Sequence, residues 1–497
     1  MIIYTNKIPF EYEIEKLTRL FFPFEKIEFS YTVQPKSSNE LFAVAKVKEQ
    51  NGKYILTASA SLKGKVASRC TLFDTSNSKD PNKEKDLERA LAVVLFECYS
   101  EITGYSPKWG ILTGIRPAKL YRKFSELLGD SQATEFFKES FRVSDKKLDL
   151  LKETAISEDD IILKSGKKSV SIYISIPFCP SRCSYCSFVS HSIERASNLI
   201  PQYLEFLIKE IHSTAEIVKK LGLEVMTVYV GGGTPTTLSA EQLTLLLKTV
   251  HDCFGNNFNE LTVEAGRPDT ITKEKLLALK NGGVGRISIN PQTMNDSVLN
   301  IIGRKHTTKQ TIDAFNLARE CGFDNINMDL IAGLPSDTVE SFKNTIDSVI
   351  NLNPESVTVH SLSLKRSSGM GQDKDFSYLK DGILASEMVD YAEHKLKSAG
   401  ILPYYMYRQS KTVGNLENVG YAKKGYEGLY NVYIMDETHT ILACGASAVT
   451  KLKSVTDGQI ERIFNFKYPY EYISRFDEMN DRKKRVEEFY REHPIKN

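Results

Sequence analysis

Strand-like and helix-like segments alternate regularly from Ser169 to about Lys365, and this alternation constrains the fold of the chain more than any other feature. The strand-like segments are Val170–Ile176, Val225–Val230, Leu261–Glu264, Arg286–Ile289, Ile326–Ile331 and Ser356–His360. The amphipathic helical segments between them include Leu204–Leu221, Ala240–Cys253, Lys273–Lys280, Thr308–Glu320 and Val339–Asn351. Strands joined by helices align in parallel within one sheet. We therefore predict an α/β core that is either a flat parallel sheet or a curved, partial barrel.

The regions on either side of this core have different patterns. Residues 1–165 begin with short β-like segments and continue as helices, which predicts an N-terminal α+β domain of unassigned role. The core is predicted to occupy residues 166–365. Residues 366–497 are predicted to form a mixed C-terminal domain, with a β-like segment at Asn431–Leu442 and a charged helix at Glu471–Glu492.

The charge balance gives no electrostatic case for a polyanionic partner. Lys and Arg number 65 against 63 Asp and Glu, so the net charge is +2. Such a balance provides no general attraction to nucleic acid or to a membrane surface. No apolar segment approaches the roughly 18 residues that a membrane-spanning helix needs. We expect a soluble, cytoplasmic protein with no nucleic-acid partner and no membrane span.

Three of the eight cysteines lie close together directly after the first core strand. Cys179, Cys183 and Cys186 have the spacing C-x3-C-x2-C. A structural zinc site normally has four protein ligands, and His191 is the sole further candidate nearby. A redox pair would need only a C-x2-C. A 4Fe–4S cluster held by three thiolates leaves one iron open for a ligand, and we predict such a cluster here.

A glycine segment, Gly231–Thr236, follows the second core strand. Three successive glycines allow close approach of the backbone to a ligand and expose N–H groups. The segment lacks the G-x-G-x-x-G spacing of a dinucleotide site and the Gly-Lys-Ser/Thr of a P-loop. By itself it could be a tight turn between strand and helix. After a three-cysteine loop, it is typical of a loop that binds a charged, amino-acid-like group.

Polar residues recur where the later strands end. Glu264, Gln292 and Asp329 lie at or near the carboxyl ends of three successive predicted strands. Each one alone could be a strand-end cap or a turn residue. The carboxyl ends of parallel strands meet at one edge of the sheet, where α/β proteins bind ligands. The regular recurrence therefore favours one shared binding site.

Taken together, several motifs resemble the radical S-adenosylmethionine (SAM) enzymes. The motifs are Tyr173–Cys179, the three cysteines, Gly231–Thr236, Arg286–Gln292, Gly303-Arg304 and Asp329–Pro335. The resemblance runs from about Val170 to Ser361 and is to the oxygen-independent coproporphyrinogen III dehydrogenases, also called oxidases. Further segments resemble the HemZ branch of that family: Trp109–Pro117, Val359–Arg366 and Asn415–Tyr421. This resemblance implies that the core is a partial (β/α)6 radical SAM barrel.

The resemblance also implies a role for individual residues. The 4Fe–4S cluster would be held by Cys179, Cys183 and Cys186. The SAM at the open iron would be bound by Tyr173, Gly232 and Glu264, and Tyr173 is the catalytic candidate. A second SAM would be held by Tyr185, Gly233, Thr234, Gln292, Arg304 and Asp329, with Ser361 as a further candidate.

The chemistry that the resemblance implies is an oxidative decarboxylation. Reductive cleavage of SAM gives a 5′-deoxyadenosyl radical, which takes a hydrogen atom from a propionate side chain, after which CO2 leaves and a vinyl group remains. Two propionates of coproporphyrinogen III are converted, giving protoporphyrinogen IX in heme biosynthesis. The implied partners are this porphyrinogen and an electron donor of the flavodoxin or ferredoxin type.

One position departs from the dehydrogenase pattern. That pattern usually continues with a fourth cysteine two residues after the third, whereas Ser187-Phe188 follows Cys186 here. A phenylalanine at this place resembles the HemW heme chaperones, which keep the radical SAM motif. A heme-binding chaperone or sensor, or a radical SAM enzyme acting on another substrate, therefore remains the alternative.

Substrate and heme contacts have weaker candidates. The carboxylates of a porphyrinogen need Arg or Lys partners, and Lys365, Arg366 and Arg408 lie near aromatic residues in the sequence. They could equally be ordinary solvated charges. His306 or His360 could ligate heme iron, although a lone histidine is more often a structural residue.

Overall fold

The computed structural model describes residues 1–32, 41–187, 191–363, 378–409 and 411–495. The chain forms two compact units. The first contains Met1–Ala155 together with two later segments that end at Ser386 and Glu417. The second begins at Ile156 and contains most of the remaining chain. These two units do not correspond one to one with the three domains predicted from the sequence. The domain boundaries at residues 165 and 365 therefore stay predictions.

The first unit is built on a five-stranded sheet. Its strands are β1 (Ile2–Thr5), β2 (Glu28–Ser30), β3 (Phe42–Gln50), β4 (Lys53–Leu62) and β5 (Lys65–Phe73). The order is β2-β1-β3-β4-β5, with β1 parallel to both neighbours and β3, β4 and β5 antiparallel. The short β-like segments predicted at the start of residues 1–165 are strands of this sheet.

Helices accompany this sheet. They are α1 (Glu11–Phe21), α2 (Lys83–Thr103), α3 (Pro117–Leu128), α4 (Asp130–Phe141) and α5 (Asp145–Ile162), which continues into the second unit. Helix α2 packs against β4 and β5. It begins at Lys83 because the Asn82 side chain accepts hydrogen bonds from the N–H groups of Glu84 and Lys85.

An eleven-stranded sheet forms the second unit. Its strands are β6 (Ser169–Ile176), β9 (Glu224–Gly232), β10 (Glu260–Gly266), β11 (Arg286–Ile289), β12 (Ile326–Ala332), β13 (Ser356–Ser361), β14 (Leu402–Arg408), β15 (Glu417–Ala422), β16 (Thr440–Cys444), β17 (Val449–Lys453) and β18 (Ile460–Phe464). A separate parallel pair is β7 (Phe178–Cys179) with β8 (His191–Ser192). The strand order is β14-β15-β13-β12-β11-β10-β9-β6-β16-β17-β18.

Most helices in this part of the chain lie between these strands, and the last three follow β18. They are α6 (Ile193–Ala196), α7 (Ile200–Leu221), α8 (Ala240–Phe254), α9 (Lys273–Asn281), α10 (Asp296–Ile301), α11 (Thr308–Glu320), α12 (Val339–Leu352), α13 (Tyr378–Ser398), α14 (Leu429–Asp436), α15 (Pro469–Ser474), α16 (Phe476–Asp481) and α17 (Lys484–Glu492). Successive crossover helices touch, α7 with α8, α8 with α9 and α9 with α11. Helix α8 begins with a capping box, in which Ser239 and Gln242 bond each other's backbone N–H groups.

The parallel α/β core is confirmed. Strands β6, β9, β10, β11, β12 and β13 are neighbours in that order and pair in parallel. All six coincide with predicted strands to within two residues at each end. All four residues of β11 are buried, as expected for a parallel strand that is covered on both faces.

Two predictions in the last third of the chain are wrong. The segment Asn431–Leu442 was expected to be β-like, but α14 covers Leu429–Asp436 and strand β16 begins only at Thr440. The single helix expected over Glu471–Glu492 is three short helices. In both places a residue far away in the sequence contacts the segment, Glu260 at the start of α14 and Glu210 at Lys483.

In the part of the chain that the structure describes, no helix combines the length and the apolar composition needed to cross a membrane.

Candidate active site

The three clustered cysteines lie on the loop that follows β6, at the carboxyl end of the parallel strands. Cys179, Cys183 and Cys186 are all half-buried. The N–H of Ser184 donates to the Ile302 carbonyl at 3.1 Å, and the N–H of Cys186 donates to the Cys183 carbonyl at 3.2 Å. The cysteine loop, residues 179–186, is therefore held against the end of helix α10.

The glycine segment lies directly against the first cysteine. The N–H of Thr234 donates to the Phe178 carbonyl at 2.7 Å, and Thr234 Oγ1 lies 3.6 Å from Cys179 Sγ. A Cβ atom at Gly233 would lie 2.5 Å from the Phe178 carbonyl oxygen and 3.0 Å from Cys179 Sγ. A side chain at Gly233 would therefore collide with the cysteine loop.

Gly232 is required for a second reason, its backbone conformation. Its φ angle is +105°, a value that residues with a Cβ rarely adopt. A Cβ there would also lie 2.8 Å from Ser175 Oγ on β6. The strand register pairs Gly232 with Ile176 and Tyr229 with Tyr173, so the glycine segment and the first core strand end at the same level.

The donor set suits a 4Fe–4S cluster. Among the described residues, no three His, Cys, Asp or Glu side chains meet around a single point. A 4Fe–4S cluster does not require this, because each thiolate binds a different iron atom. Three half-buried thiols on one loop, packed closely against a glycine segment, match the ligands that such a cluster needs with one iron left open.

Three stacked tyrosines lie beside Glu264. The ring centroids of Tyr173 and Tyr229 are 6.3 Å apart, and those of Tyr229 and Tyr430 are 4.5 Å apart, with the planes within about 21° of parallel. The Tyr229 hydroxyl donates to Glu264 Oε1 at 2.6 Å. Burial raises the pKa of Glu264 to about 7, and the hydrogen bond from Tyr229 opposes part of this rise.

Replacing Glu264 by glutamine should flatten the pH dependence of folding. Between pH 4.5 and 7 the native state holds a proton on Glu264 that the unfolded chain has released, so stability contributed by this group falls as pH rises. This difference in pKa between the native and the unfolded chain corresponds to about 3 kcal/mol of unfolding free energy. The measurement is the free energy of unfolding in urea at pH 4.5, 6 and 7.5 for wild type and Glu264→Gln.

A matched control is Glu340→Gln, which removes an exposed carboxylate from the first turn of α12. It should leave the pH dependence of the unfolding free energy as in wild type. If the unfolding free energy of wild type and of Glu264→Gln changed equally with pH, the raised pKa of Glu264 would be contradicted.

Gln292 and Asp329 come together at the ends of β11 and β12. The N–H of Gln292 donates to the Asp329 carbonyl at 2.9 Å. Gln292 has a φ of +69°, and its buried Oε1 has no hydrogen-bond partner among the described residues. Burial alone would raise the pKa of Asp329, but hydrogen bonding and charge from His360, with hydrogen bonds from Asn327 and Thr358, lower it. A strained backbone and an unsatisfied buried acceptor are features that cluster at ligand sites.

Arg304 connects this polar group to the cysteine loop. Its guanidinium donates to the Asn290 carbonyl at 2.6 Å and, from Nε and Nη2, to the Tyr185 hydroxyl at 3.3 and 3.1 Å. Arg304 is 8% exposed, so its charge lies inside the protein. Burial raises the pKa of Tyr185, which keeps its hydroxyl protonated near neutral pH.

Ser361 lies at the end of β13, where its N–H donates to Asn418 Oδ1 at 3.0 Å. It pairs in register with Ala332 at the end of β12. The remaining predicted member of the set is thus also at the carboxyl edge of the sheet.

The weaker candidates have varied surroundings. Lys365, Arg366 and Phe188 lie outside the described residues. Arg408 is buried in the first unit, where it donates to the Leu112 carbonyl and, at 3.1 Å, to the Asn415 carbonyl. Its guanidinium is therefore committed to backbone groups.

The two histidines also differ. His360 Nε2 lies 3.9 Å from Asp329 Oδ2, at the site. His306 is 3% exposed, and neither ring nitrogen has a hydrogen-bond partner among the described residues. Burial lowers the pKa of His306 to about 4, so its imidazole is neutral at pH 7.

Sequence reasoning missed several residues that shape the site. Tyr229 is two residues before Gly231 on the same strand, so the period-two alternation of β9 could have placed both on one face. Tyr430 comes from α14, in the segment wrongly predicted to be β-like. Arg267 follows β10 and bonds the cysteine loop, and no local pattern marks it.

Comparison with known proteins agrees with this geometry. The sequence pattern of the Radical SAM superfamily matches residues 173–349. The oxygen-independent coproporphyrinogen-III oxidase-like protein HemZ of Bacillus subtilis is 37% identical over 476 residues, covering 95% of this chain and 94% of its own. The heme chaperone HemW of the same organism is 34% identical over 281 residues, covering 56% of this chain and 70% of its own.

The fold has a counterpart among solved structures. The coproporphyrinogen III oxidase HemN of Escherichia coli, described as a radical SAM enzyme, aligns with a TM-score of 0.50 and 24% identity. The alignment covers 66% of this chain and 73% of that one. Radical SAM proteins use a 4Fe–4S cluster and SAM, which is consistent with the cysteine loop. On the strength of the HemZ match, the chain belongs to the oxygen-independent coproporphyrinogen-III oxidase-like family of radical SAM proteins.

Proposed function

We propose that this protein is an oxygen-independent coproporphyrinogen III dehydrogenase. It would convert two propionate side chains of coproporphyrinogen III to vinyl groups by radical SAM oxidative decarboxylation, giving protoporphyrinogen IX. Each conversion would use one SAM as the oxidant, transfer one hydrogen atom to 5′-deoxyadenosine, release CO2 and pass the remaining electron to a one-electron acceptor. The observation that most supports this reaction is a pair of contacts among the predicted residues. The Arg304 guanidinium donates to the Tyr185 hydroxyl, and the N–H of Gln292 donates to the Asp329 carbonyl. These are the positions at which the resemblance implies a second SAM.

The cysteines and the adjacent strand ends have distinct roles in this proposal. Cys179, Cys183 and Cys186 hold the cluster. The bound cluster would supply the electron that splits SAM into methionine and a 5′-deoxyadenosyl radical. Tyr173, Gly232 and Glu264 bind the SAM at the open iron, where Glu264 offers a carboxyl oxygen to a ribose hydroxyl or amino group.

The second polar set contributes binding and orientation. Arg304 is a buried cation and Asp329 a half-buried anion, so the pair suits the carboxylate and the ammonium of an amino acid group. Gln292 offers its unsatisfied Oε1 as an acceptor. Tyr185, Gly233, Thr234 and Ser361 complete this set, and an external donor of the flavodoxin or ferredoxin type supplies the electrons.

The test is an anaerobic turnover assay. Reduced, reconstituted protein with SAM and coproporphyrinogen III should release CO2 and form 5′-deoxyadenosine and a vinyl-bearing product. Arg304→Ala should lower turnover on the order of 100-fold, because it removes a positioning group, while the absorbance of the cluster is unchanged. Lys305→Ala, which removes the neighbouring exposed side chain, should retain wild-type turnover.

The second candidate function is a heme chaperone, which the similarity to HemW favours. Heme bound at one per chain, with SAM cleaved but no CO2 released from coproporphyrinogen III, would contradict the dehydrogenase proposal and establish the chaperone.

A further inference from the structure

The cysteine loop contains one residue that several groups hold in place. Ser181 lies between Cys179 and Cys183, the first two predicted cluster ligands. Its hydroxyl donates to the Gly303 carbonyl at 3.2 Å. The same hydroxyl accepts a hydrogen bond from Arg267 Nη1 at 2.8 Å, and Nη1 also lies 3.3 Å from the Ser181 carbonyl oxygen. Ser181 thus links the loop to two other parts of the chain.

Arg267 itself is rigidly fixed on its other side. Its Nε and Nη2 donate to the two carboxylate oxygens of Asp269 at 3.0 and 2.8 Å. A guanidinium paired with a carboxylate in this two-pronged way has its plane and direction set. The Arg267 side chain is 4% exposed, so solvent cannot replace these bonds. The remaining nitrogen, Nη1, points at Ser181.

The backbone of Arg267 is anchored as well. Its carbonyl accepts from the N–H of Thr270 at 3.0 Å and from Thr270 Oγ1 at 2.8 Å. Thr270 Oγ1 lies 2.6 Å from Thr236 Oγ1, in the segment that follows the three glycines. Arg267, directly after β10, therefore bonds the cysteine loop directly and is linked to the glycine segment through Thr270.

We propose that Arg267 is a positioning residue for the 4Fe–4S cluster, acting through Ser181 to hold the loop between Cys179 and Cys183 in a ligating conformation. The proposal rests on the cluster part of the proposed function and not on the identity of the substrate. Lysine could not substitute, because one ammonium cannot bond both carboxylate oxygens of Asp269 and the Ser181 hydroxyl in the same fixed plane.

The test measures how firmly the cluster is held. Full-length protein is reconstituted anaerobically, and the release of iron to a ferrous chelator is followed without SAM or substrate. Arg267→Lys and Ser181→Ala should each release iron roughly 10-fold faster than wild type, the lower end of the effect expected for groups that orient metal ligands. Ser181→Thr, which keeps the hydroxyl, should restore the wild-type rate.

A matched control separates positioning from general damage. Arg319→Lys makes the same exchange on α11, where Arg319 pairs with Glu355 at 2.8 Å. This variant should release iron at the wild-type rate. Wild-type release rates in both Arg267→Lys and Ser181→Ala, or an equal acceleration in Arg319→Lys, would overturn the proposal.

The readout is independent of decarboxylation. The iron-release assay contains no substrate, so its result does not depend on whether the protein decarboxylates a porphyrinogen. The dehydrogenase proposal fails on a different result, the absence of vinyl product from wild-type protein with an intact cluster. The two proposals therefore fail on different measurements.

Discussion

Replacing Cys183 by alanine should remove the 4Fe–4S cluster and, with it, all cleavage of SAM. The three cysteines are the thiol ligands of the loop, and a cluster with three protein ligands has no spare one. Iron and acid-labile sulfide, measured after anaerobic reconstitution, should fall to background in Cys183→Ala. The broad visible absorbance of the reconstituted protein should disappear, and exposure to air should degrade the cluster of the wild type.

A cysteine outside the loop provides the control. Cys253 is half-buried at the end of α8, with its Sγ 3.2 Å from His212 Nδ1. Cys253→Ala should retain wild-type iron and sulfide. Full iron and sulfide in the triple variant Cys179→Ala/Cys183→Ala/Cys186→Ala would show that the cluster assignment is wrong.

The core strands could be predicted because their sequence pattern is determined locally. Strand β11, with the sequence Arg-Ile-Ser-Ile, alternates polar and apolar residues, which is the local period of a strand, and both of its ends are predicted correctly. Helix α11 was also predicted with correct ends. Its amphipathic spacing and its N-cap residue, Thr307, lie within the same stretch of sequence.

Helix α14 could not be predicted because its start depends on a distant residue. Its sequence, Leu429–Asp436, is rich in aromatic and branched side chains, which favour strands. The Glu260 carboxylate accepts hydrogen bonds from the N–H groups of Leu429 at 2.6 Å and Tyr430 at 3.4 Å. A carboxylate at this end stabilises a helix, and Glu260 lies 169 residues earlier in the chain.

The end of the chain shows the same effect. Lys483 separates α16 from α17 and is buried, with its Nζ 3.0 Å from Glu210 Oε1 and 3.0 Å from the Ala443 carbonyl oxygen. A single charged helix is predicted from the sequence over Glu471–Glu492. The lysine between α16 and α17 therefore contacts Glu210 on α7 and the backbone of β16, and no local pattern predicts these contacts.

The residues of the candidate site fall into two groups, those that belong to a sequence motif and those that orient the motif residues. Residues that belong to short motifs can be identified as candidates from the sequence, Cys179 by the spacing of the three cysteines and Gly233 by its place after the cysteine loop and by the family resemblance. The bonds from Tyr229 to Glu264 and from Arg267 to Ser181 cross 35 and 86 residues of sequence. Which side chains orient the motif residues is therefore a property of the folded sheet and not of any local pattern.

Breaking a buried ion pair in the first unit should have the largest effect on stability. Lys147 Nζ lies 2.6 Å from Glu417 Oε1, and both side chains are 0% exposed. Trp109 Nε1 donates to Glu417 Oε2 at 2.6 Å. Burial alone would raise the pKa of Glu417, but the charge and hydrogen bond of Lys147 lower it, so the carboxylate is ionised. Lys147→Met leaves that charge buried without its counterion, which should cost about 3–5 kcal/mol.

The double variant Lys147→Met/Glu417→Gln tests whether the cost comes from the unpaired charge. Glutamine keeps an acceptor for Trp109 but carries no charge, so the double variant should be more stable than Lys147→Met alone. Lys138→Met is the control, because its pair with Asp145 is exposed and should contribute at most about 1 kcal/mol.

Trp109 makes the measurement specific to this unit. It is the single tryptophan of the chain and bonds directly to the ion pair, so its fluorescence in a urea titration reports unfolding at that point. A midpoint for Lys147→Met equal to that of wild type would show that the carboxylate is solvated or protonated in the native state. Recovery of the urea midpoint in the double variant would instead show that the loss of stability in Lys147→Met comes from the unpaired buried charge of Glu417.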